Sequence, residues 1–324
     1  MKKITLFLSI VFGLTTIESK AQWAETGNLK NVTWEYSFTG SGTVTSEGKG
    51  LEKTSTPAQQ DFLPKPPSGE VKIITNEETG QGKSSFALNA NGANSGLTLG
   101  HSSGKGLAPA AAKFVAKDFA AKSKVMSVHF TLTPNSTAEN NQAIWYFVVG
   151  ASKNSSITGK GAPPITGYTT SDNSIYTLFR LRKTKAGGPY GLQVRYNSGD
   201  EKKWGWQSVP ASLLTNGKEA KIDLFFNNSD KPQSYTFNGE TKNLPAEAYH
   251  VYINNEQKGA TLQSMARNYS PQDKSIGYTK DLEAFSIMSR EGAHSGEKNA
   301  EGKFIYDNSA SLTINNLKVI HLAK

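Results

Sequence analysis

Ser174-Ile-Tyr-Thr-Leu-Phe-Arg-Leu-Arg-Lys183 is the stretch that decides the fold, because apolar and polar side chains alternate along it. One face of an extended chain here would carry Ile175, Phe179 and Leu181. The opposite face would carry Tyr176, Arg180 and Arg182, with Leu178 among them. A period of two residues is typical of a β-strand that buries one face. The stretch therefore predicts a strand whose polar side contains two guanidinium groups.

Three other segments show the same alternation: Lys124–Thr133, Tyr190–Asn197 and Glu219–Asn227. Each has one apolar face and one largely polar face, which indicates sheets with one side packed on a core. If neighbouring strands place their polar faces together, we expect one sheet surface with the side chains of His129, Arg180, Arg182, Gln193, Arg195 and Asp223.

The remainder of the chain also favours an all-β fold. Short β-branched and aromatic segments are separated by clusters of Gly, Asn, Ser and Pro, and they amount to about fourteen strands. Such a number exceeds a minimal immunoglobulin-type sandwich and indicates a two-sheet antiparallel jelly-roll sandwich with long Gly/Asn/Ser loops. The one helix-like stretch is the Ala-rich segment from Ala108 to Ala121.

The N-terminus has the layout of a secretory signal peptide. Met1-Lys2-Lys3 precedes the apolar run Ile4–Leu14, and Ser19-Lys20-Ala21 forms a small-x-small cleavage site before Gln22. We therefore predict that residues 1–21 are a signal peptide. Residues 22–324 are predicted to form a single jelly-roll domain with an irregular N-terminal portion. The protein would be periplasmic, at the cell surface or secreted, and no later stretch reaches the ~20 apolar residues of a transmembrane helix.

Composition narrows the chemistry further. The chain has no cysteine, which excludes disulfides, thiolate metal sites and cysteine nucleophiles. The net charge is +9, and loss of the predicted signal with a net charge of +2 leaves +7. A basic surface favours anionic partners such as an acidic polysaccharide, although charge also serves solubility. No nucleic-acid motif or Lys/Arg-rich run is visible, so we predict no nucleic-acid partner.

Two stretches carry a family resemblance. Lys221 to Gly259 reads KIDLFFNNSDKPQSYTFNGETKNLPAEAYHVYINNEQKG, and the chain closes with Phe304-Ile-Tyr-Asp-Asn308 and Leu312-Thr-Ile-Asn-Asn-Leu-Lys-Val-Ile320. These resemble the strand-turn-strand and the final strand of concanavalin A-like (laminin G-like) jelly rolls. Near the start, Phe62-Leu-Pro-Lys-Pro-Pro-Ser-Gly-Glu-Val71 is similar to a segment of exported Bacteroidetes-type proteins. The resemblance implies a fold that hosts lectins, glycan-binding modules, glucanases and polysaccharide lyases, so it leaves the function open.

Two enzyme classes of this fold require particular catalytic residues. Glycosidases need two carboxylates at a defined separation, and the Glu-x-Asp-x-x-Glu or Glu-x-Asp-x-Glu strand of jelly-roll glucanases is missing. Asp281 with Glu283 and Glu297 with Glu301 are interpreted as solvated charges. Lyases need a group that neutralises a uronate and a Tyr, His or Lys that removes the C5 proton. The predicted polar face has suitable residues, but the usual motifs of alginate lyases of this fold are absent, and Phe179-Arg-Leu-Arg-Lys183 only loosely resembles them.

Metal sites are not indicated by histidine spacing. His101, His129, His250, His294 and His321 show no ligand pattern, so we predict no cofactor and no zinc or iron site. Jelly rolls often carry a structural calcium ion with oxygen ligands. The candidate pairs are Asp307 with Asn308 and Asp172 with Asn173, and turn formation explains both pairs equally well.

An aromatic segment completes the candidate site. Trp204 and Trp206 are two residues apart and would share one face of a strand. Aromatic rings stack on sugar faces, and neighbouring cations hold acidic groups. The alternative is that both tryptophan rings face the core, where large aromatic side chains are usually buried. We therefore predict carbohydrate binding, with an anionic polysaccharide as the favoured ligand and these candidate residues: His129, Tyr176, Arg180, Arg182, Gln193, Arg195, Trp204 and Trp206. A polysaccharide lyase or glycoside hydrolase is the alternative, and a surface adhesion or structural protein is the second alternative. The oligomeric state is not predicted.

Overall fold

The computed structural model describes residues 21–46, 50–75, 83–90, 95–102, 112–136, 144–153, 155–159, 175–183, 188–197, 204–263, 281–291, 298, 300–302 and 309–324. The predicted signal peptide, apart from residue 21, lies outside these ranges. The part of the chain that the structure describes contains no helix with the length and hydropathy of a membrane span.

Strands account for nearly all of the regular structure in the described ranges. In chain order they are β1 (Gln22–Trp23), β2 (Lys30–Tyr36), β3 (Gly42–Ser46), β4 (Glu52–Ser55), β5 (Glu70–Thr75), β6 (Lys83–Asn89), β7 (Gly96–Ser102), β8 (Ala112–Lys117), β9 (Val125–Ser136), β10 (Ile144–Gly150), β11 (Ile175–Lys183), β12 (Tyr190–Asn197), β13 (Trp204–Ser208), β14 (Ala220–Asn227), β15 (Gln233–Phe237), β16 (Glu240–Leu244), β17 (Ala248–Ile253), β18 (Glu256–Gln257), β19 (Leu262–Gln263), β20 (Ala284–Glu291) and β21 (Ser309–Ala323). A single helical turn, α1, spans Ser155–Thr158.

Two large antiparallel sheets form the sandwich. The eight-stranded sheet has the order β13-β12-β11-β10-β20-β8-β5-β4. The ten-stranded sheet follows the path β18-β17-β14-β9-β21-β7-β6-β3, with β19 paired to β17 and β2 paired to β21. The prediction of an all-β, two-sheet jelly-roll sandwich is therefore confirmed.

The main core lies between the two large sheets. Stacked aromatic rings cross the interface: Phe130 of β9 lies 6.0 Å from Phe147 of β10, which lies 5.1 Å from Phe179 of β11. Both sheets contribute alternate residues to this single apolar cluster, as a sandwich requires. The alternation seen in the sequence thus reports which residues face inward.

A third, three-stranded sheet in the order β1-β15-β16 packs outside the ten-stranded sheet. Its apolar side chains Trp23, Tyr235 and Phe237 contact Phe225 of β14. This explains why the apolar Phe225 stands on the otherwise polar face of its strand. One part of the outer face of the ten-stranded sheet is therefore covered, while its β3-β6-β7 side stays accessible through Thr43, Thr45 and Ser85.

The helix-like stretch from Ala108 to Ala121 is a misprediction over its described part. Residues Ala112–Lys117 form β8, which lies between β5 and β20. Ala112, Phe114 and Ala116 face the main core, and tertiary pairing on both edges overrides the helical preference of alanine.

Candidate ligand-binding face

The candidate site lies on the outer face of the eight-stranded sheet, at its β10 to β13 end. Cross-strand register places four polar or aromatic side chains in one row: Tyr146, Arg180, Gln193 and Ser208. In the next row, Arg195 of β12 stands opposite Trp206 of β13. Directly opposed residues on one face are close enough to interact, so these six side chains form one surface.

Hydrogen bonds and ring contacts hold this surface together. Arg180 Nε donates to Gln193 Oε1 at 2.8 Å, and Gln193 Nε2 donates to Ser208 Oγ at 3.2 Å. The guanidinium carbon of Arg180 lies 4.1 Å from the centroid of the Trp206 ring, and that of Arg195 lies 5.2 Å from it. Both distances are within the range of cation–π attraction. The arrangement therefore fixes two cations beside one indole.

The two guanidinium groups are largely shielded from solvent. Arg180 is 9% exposed and Arg195 is 5% exposed. Burial lowers the pKa of Arg195, and repulsion from Arg180 lowers it further, while Tyr146 opposes the shift. Two like charges held together at low exposure create a strong positive potential that favours an anionic group.

The composition of the four strands reinforces this potential. Strands β10 to β13 contain four basic residues, Arg180, Arg182, Lys183 and Arg195, and no aspartate or glutamate. The carboxylate pair that glycoside hydrolysis requires is therefore absent from these strands. These four strands therefore present basic groups and no carboxyl group.

A cavity of about 350 Å³ adjoins the row on the side of Arg182. Its lining includes Arg182, Gly191, Gln193, Ser208 and Leu213. Arg182, Gln193 and Trp206 are partly exposed, so a ligand can reach them from solvent. Leu213 is 61% exposed and provides an apolar contact at the rim.

The other end of the row is closed by α1 and Lys113. Ile157 of α1 packs on an apolar cluster that includes Tyr146 and Met288, and Trp206 packs against the same cluster. Lys113 of β8 is paired with Met288, and its Nζ donates to the carbonyl of Gly159 at 2.7 Å. Burial, followed by repulsion from Lys72, lowers the pKa of Lys113 to about 7. This amine therefore ties the end of α1 to the sheet.

Five of the residues predicted for the site share this face: Arg180, Arg182, Gln193, Arg195 and Trp206. Trp204 belongs to β13, but its side chain lies outside the described part of the structure. Trp206 is partly exposed, so for this residue the alternative of a core tryptophan does not hold.

The predicted placement of Tyr176 on the polar face is wrong. A β-bulge between β10 and β11 pairs Val149 with Thr177 and Gly150 with Ile175, which leaves Tyr176 as the extra residue. The bulge turns its ring into the main core, where the hydroxyl donates to the carbonyls of Asn227 at 3.1 Å and Ala248 at 2.7 Å. An extra residue interrupts strict alternation, and this shift is not visible in the sequence.

The predicted grouping of His129 and Asp223 with the arginines is also wrong. Both residues belong to the ten-stranded sheet, where β9 pairs with β14 and brings the two side chains opposite each other. They face outward from the sandwich on the side away from Arg180. Two sheets in one domain each have an outer polar face, and periodicity does not distinguish them.

The histidines and acidic residues considered as metal ligands lie in different parts of the fold. The described residues contain no cluster of three His, Asp or Glu side chains that could hold a metal ion. His101 and His321 are buried, and His250 hydrogen-bonds Tyr235 and Thr261. His294, Glu297 and both candidate calcium pairs lie outside the described residues. Glu283 accepts a hydrogen bond from Ser152 and lies 3.7 Å from Lys122.

Tyr146 and Lys113 were missed in the sequence. Ile144-Trp-Tyr-Phe-Val-Val-Gly150 is almost wholly apolar or aromatic, so no alternation marks the outward face of β10. Lys113 lies in the Ala-rich stretch for which the sequence predicts a helix. Only strand order places them in the row of Arg180.

No family model and no curated protein matches the chain. Several solved structures are similar to the chain at low identity, with TM-scores below 0.5. An endo-1,3-β-glucanase from Streptomyces sioyaensis is 13% identical with a TM-score of 0.44, over 93% of this chain and 99% of that one. An alginate lyase from Chlorella virus is 10% identical with a TM-score of 0.40, over 72% of this chain and 88% of that one. A sialidase is 13% identical with a TM-score of 0.39, over 73% of this chain and only 16% of the sialidase. At such identity, function has to be inferred from the residues of this chain.

Proposed function

We propose that this chain is an exported glycan-binding protein that holds an anionic polysaccharide on the outer face of its eight-stranded sheet. The observation that carries the proposal is the pair of guanidinium groups, Arg180 and Arg195, placed at 4.1 and 5.2 Å from the ring of Trp206. An aromatic ring offers a platform for a sugar, and the guanidinium groups offer charge-assisted hydrogen bonds to its acidic group. Export is supported by the signal-like residues 1–21.

The fixed geometry supports recognition of an acid in particular. Arg180 is oriented by Gln193, which is itself hydrogen-bonded to Ser208. Side chains that are ordered before binding lose less conformational entropy when the ligand arrives. Arg182, at the adjoining cavity, extends the basic surface toward the next sugar of a chain.

A polysaccharide lyase is the second candidate, and the position of Tyr146 beside Arg180 favours it. Because the side chain of Tyr146 is fully buried in the apolar cluster with Ile157, a lyase would require α1 to move away when substrate binds. In a lyase, a base removes the proton at C5 of a uronate, a double bond forms between C4 and C5, and the C4–O bond breaks as an acid gives a proton to the departing oxygen. Tyr146 stands opposite Arg180, which stands opposite Gln193. A phenol, a guanidinium and an amide side by side are the groups that such an elimination uses.

Affinity electrophoresis tests the binding proposal. Native gels would contain alginate, polygalacturonate or neutral laminarin, and wild type would be compared with Arg180→Gln and Arg195→Gln. We expect retardation by at least one acidic glycan and a loss of affinity of about tenfold in each variant, because each removes a shielded cation from the centre of the site. Lys30→Gln is the matched control, since it removes one positive charge from an exposed strand position.

The outcomes separate the candidates. Unaltered mobility on every acidic glycan, or equal retardation of wild type and both arginine variants, would contradict the proposal. If the protein releases sugar chains with unsaturated ends, which are detected by their ultraviolet absorbance, it is a lyase instead. In that case Tyr146→Phe should abolish product while the retardation by glycan remains. Retention of a protein partner without glycan would favour an adhesion role.

A further inference from the structure

A short loop, residues 210–213, borders the candidate ligand-binding face where β13 ends. Val209 and Leu214, on either side of the loop, both pair with β12. The amide of Val209 donates to the carbonyl of Leu192 at 2.9 Å. Leu214 and Tyr190 exchange two hydrogen bonds of 2.8 Å. The four residues between these two points therefore leave the sheet edge and return to it.

Hydrogen bonds hold this loop in one shape. Ser212 is buried, and its Oγ accepts from the amide of Leu192 at 3.1 Å and donates to the carbonyl of Val209 at 2.6 Å. The amide of Leu192 thus keeps a partner where the main-chain pairing is interrupted. Ala211 has a φ of 53°, a left-handed conformation that a residue with a Cβ adopts only when its surroundings impose it. The loop therefore places Leu213 at a fixed position.

Leu213 is the large apolar side chain that the loop exposes to solvent. Other large apolar side chains in the described ranges are buried or half-buried. Val209 and Leu214, at the two ends of the loop, belong to the main core. A single exposed leucine is common on protein surfaces, but this one lines a cavity that also contains cations. Burial of its side chain by a ligand would favour binding.

The cavity of about 350 Å³ lies between this loop and the strands, and its volume is within the range of small-ligand sites. Three neighbouring strands supply polar lining through Arg182, Gln193 and Ser208. The loop supplies apolar lining through Ala211 and Leu213. The described lining contains no aspartate or glutamate. One cavity thus combines a basic, hydrogen-bonding part with an apolar part.

The polar part of the lining offers hydrogen-bond donors. Ser208 Oγ accepts from Gln193 Nε2 at 3.2 Å, and no described residue accepts from the hydroxyl of Ser208. A hydroxyl group can accept and donate at once, so this one can donate to a ligand oxygen. Arg182 is partly exposed, and guanidinium groups bind acids through charge-assisted hydrogen bonds. A matching ligand therefore has an acidic group, a neutral acceptor oxygen and a small apolar group close together.

An acetylated acidic sugar has these three features. The carbonyl oxygen of an acetyl group accepts a hydrogen bond, its methyl group is apolar, and the acid belongs to the same sugar or the next one. An unsubstituted acidic sugar has a hydroxyl group in place of the acetyl group, which leaves Leu213 without an apolar partner.

We propose that the loop 210–213 makes this face prefer acidic glycans that carry acetyl groups. Leu213 contacts the methyl group, Ser208 donates to the acetyl carbonyl, and Arg182 binds the acid. The inference rests on the proposed glycan-binding function and specifies which substituent the ligand carries.

Affinity electrophoresis with matched polymers tests the inference. Alginate and polygalacturonate are each used as the parent polymer and as an O-acetylated derivative made with acetic anhydride. We expect wild type to bind the acetylated form of at least one polymer about fourfold more tightly than its parent, the factor for burial of about one methyl group. In Leu213→Ser the two forms should bind with equal affinity, because the apolar contact is removed.

Three controls accompany this comparison. Leu213→Met keeps an apolar side chain at the position and should retain the preference. Pro210→Ser changes an exposed residue of the same loop that does not line the cavity, so it should bind both forms as wild type does. Removal of the acetyl groups in dilute alkali should restore the affinity of the parent polymer, which excludes shortening of the chains as the cause.

The results separate this inference from the proposed function. Equal affinity of wild type for parent and acetylated polymers would overturn the acetyl preference and leave glycan binding intact. A preference of the same size in Leu213→Ser would also overturn it, because another part of the surface would then be responsible. If wild type binds neither form of either polymer, the proposed function fails and this inference fails with it.

Discussion

His129 Nδ1 lies 2.8 Å from Asp223 Oδ1, and the opposite ring nitrogen lies 2.9 Å from Ser127 Oγ. A carboxylate, an imidazole and a hydroxyl in line also occur in nucleophilic hydrolases. Here Ser127 is 1% exposed, and its neighbours across the sheet, Phe225 and Ile320, belong to the apolar cluster under the three-stranded sheet. We interpret the three residues as a buried polar link that joins β9 to β14.

This interpretation predicts a loss of stability in Asp223→Ala. His129 would keep its buried position and lose its partner, at a cost of about 2–4 kcal/mol. Urea denaturation should show a lower midpoint with an unchanged slope, while Asp230→Ala, at an exposed turn position, should behave as wild type. A midpoint equal to that of wild type would contradict a structural role for the hydrogen bond between His129 and Asp223.

Tyr176→Phe separates a role in the core from a role in the candidate ligand-binding face. The change leaves the carbonyls of Asn227 and Ala248 without the hydroxyl that they share, so the free energy of unfolding should fall by about 1–3 kcal/mol. Retardation by acidic glycan should be the same as in wild type. Weaker glycan binding at unchanged stability would instead indicate that Tyr176 belongs to the ligand-binding site.

Ionic strength should weaken glycan binding. The proposed interaction depends on Arg180, Arg182 and Arg195, and salt screens charges at a partly exposed surface with a Debye length of about 8 Å at 0.15 M. The dissociation constant should rise steadily as sodium chloride is added. Trp206→Phe should bind more weakly at every salt concentration but keep the same salt dependence. If the affinity does not change with salt concentration, the ligand is not held by its charge.

Stability should fall in mild acid because of His101. Burial lowers its pKa in the folded protein from the usual 6.5 to about 4. The unfolded chain therefore binds the proton first, so the stabilisation present above pH 6.5 is lost as the pH falls toward 4. Between pH 7 and pH 5 the titration of His101 lowers the free energy of unfolding by about 2 kcal/mol.

The measurement is the difference in unfolding free energy between wild type and His101→Phe at each pH, since other groups titrate in both proteins. That difference should shift by about 2 kcal/mol in favour of the variant as the pH drops from 7 to 5. Parallel curves for the two proteins would contradict a neutral, buried His101.

Export predicts a processed N-terminus. When the full chain is expressed in a Gram-negative host, the mature protein should begin at Gln22, after Ala21. Intact-mass spectrometry of the periplasmic or medium fraction would detect this, including cyclisation of the new N-terminal glutamine. Full-length protein confined to the cytoplasm would contradict the signal peptide.

Part of the candidate site was predictable from alternation. Arg180 and Arg182 fall two residues apart on β11, and Gln193 and Arg195 do so on β12, so each pair had to share a face. Their common surface then follows because the two strands are neighbours in the sheet. Tyr146 could not be placed in the same way, because β10 is buried or apolar on both faces.

By itself the sequence determined the fold class, the chemistry of the faces of the alternating strands and the absence of cysteine chemistry, because these depend on periodicity and composition along the chain. Only the tertiary structure decided which faces meet. Strand order separated His129 from Arg180, a bulge turned Tyr176 inward, and pairing with β13 brought Trp206 to both arginines. These outcomes depend on contacts between residues far apart in sequence, and local periodicity contains no information about partner choice.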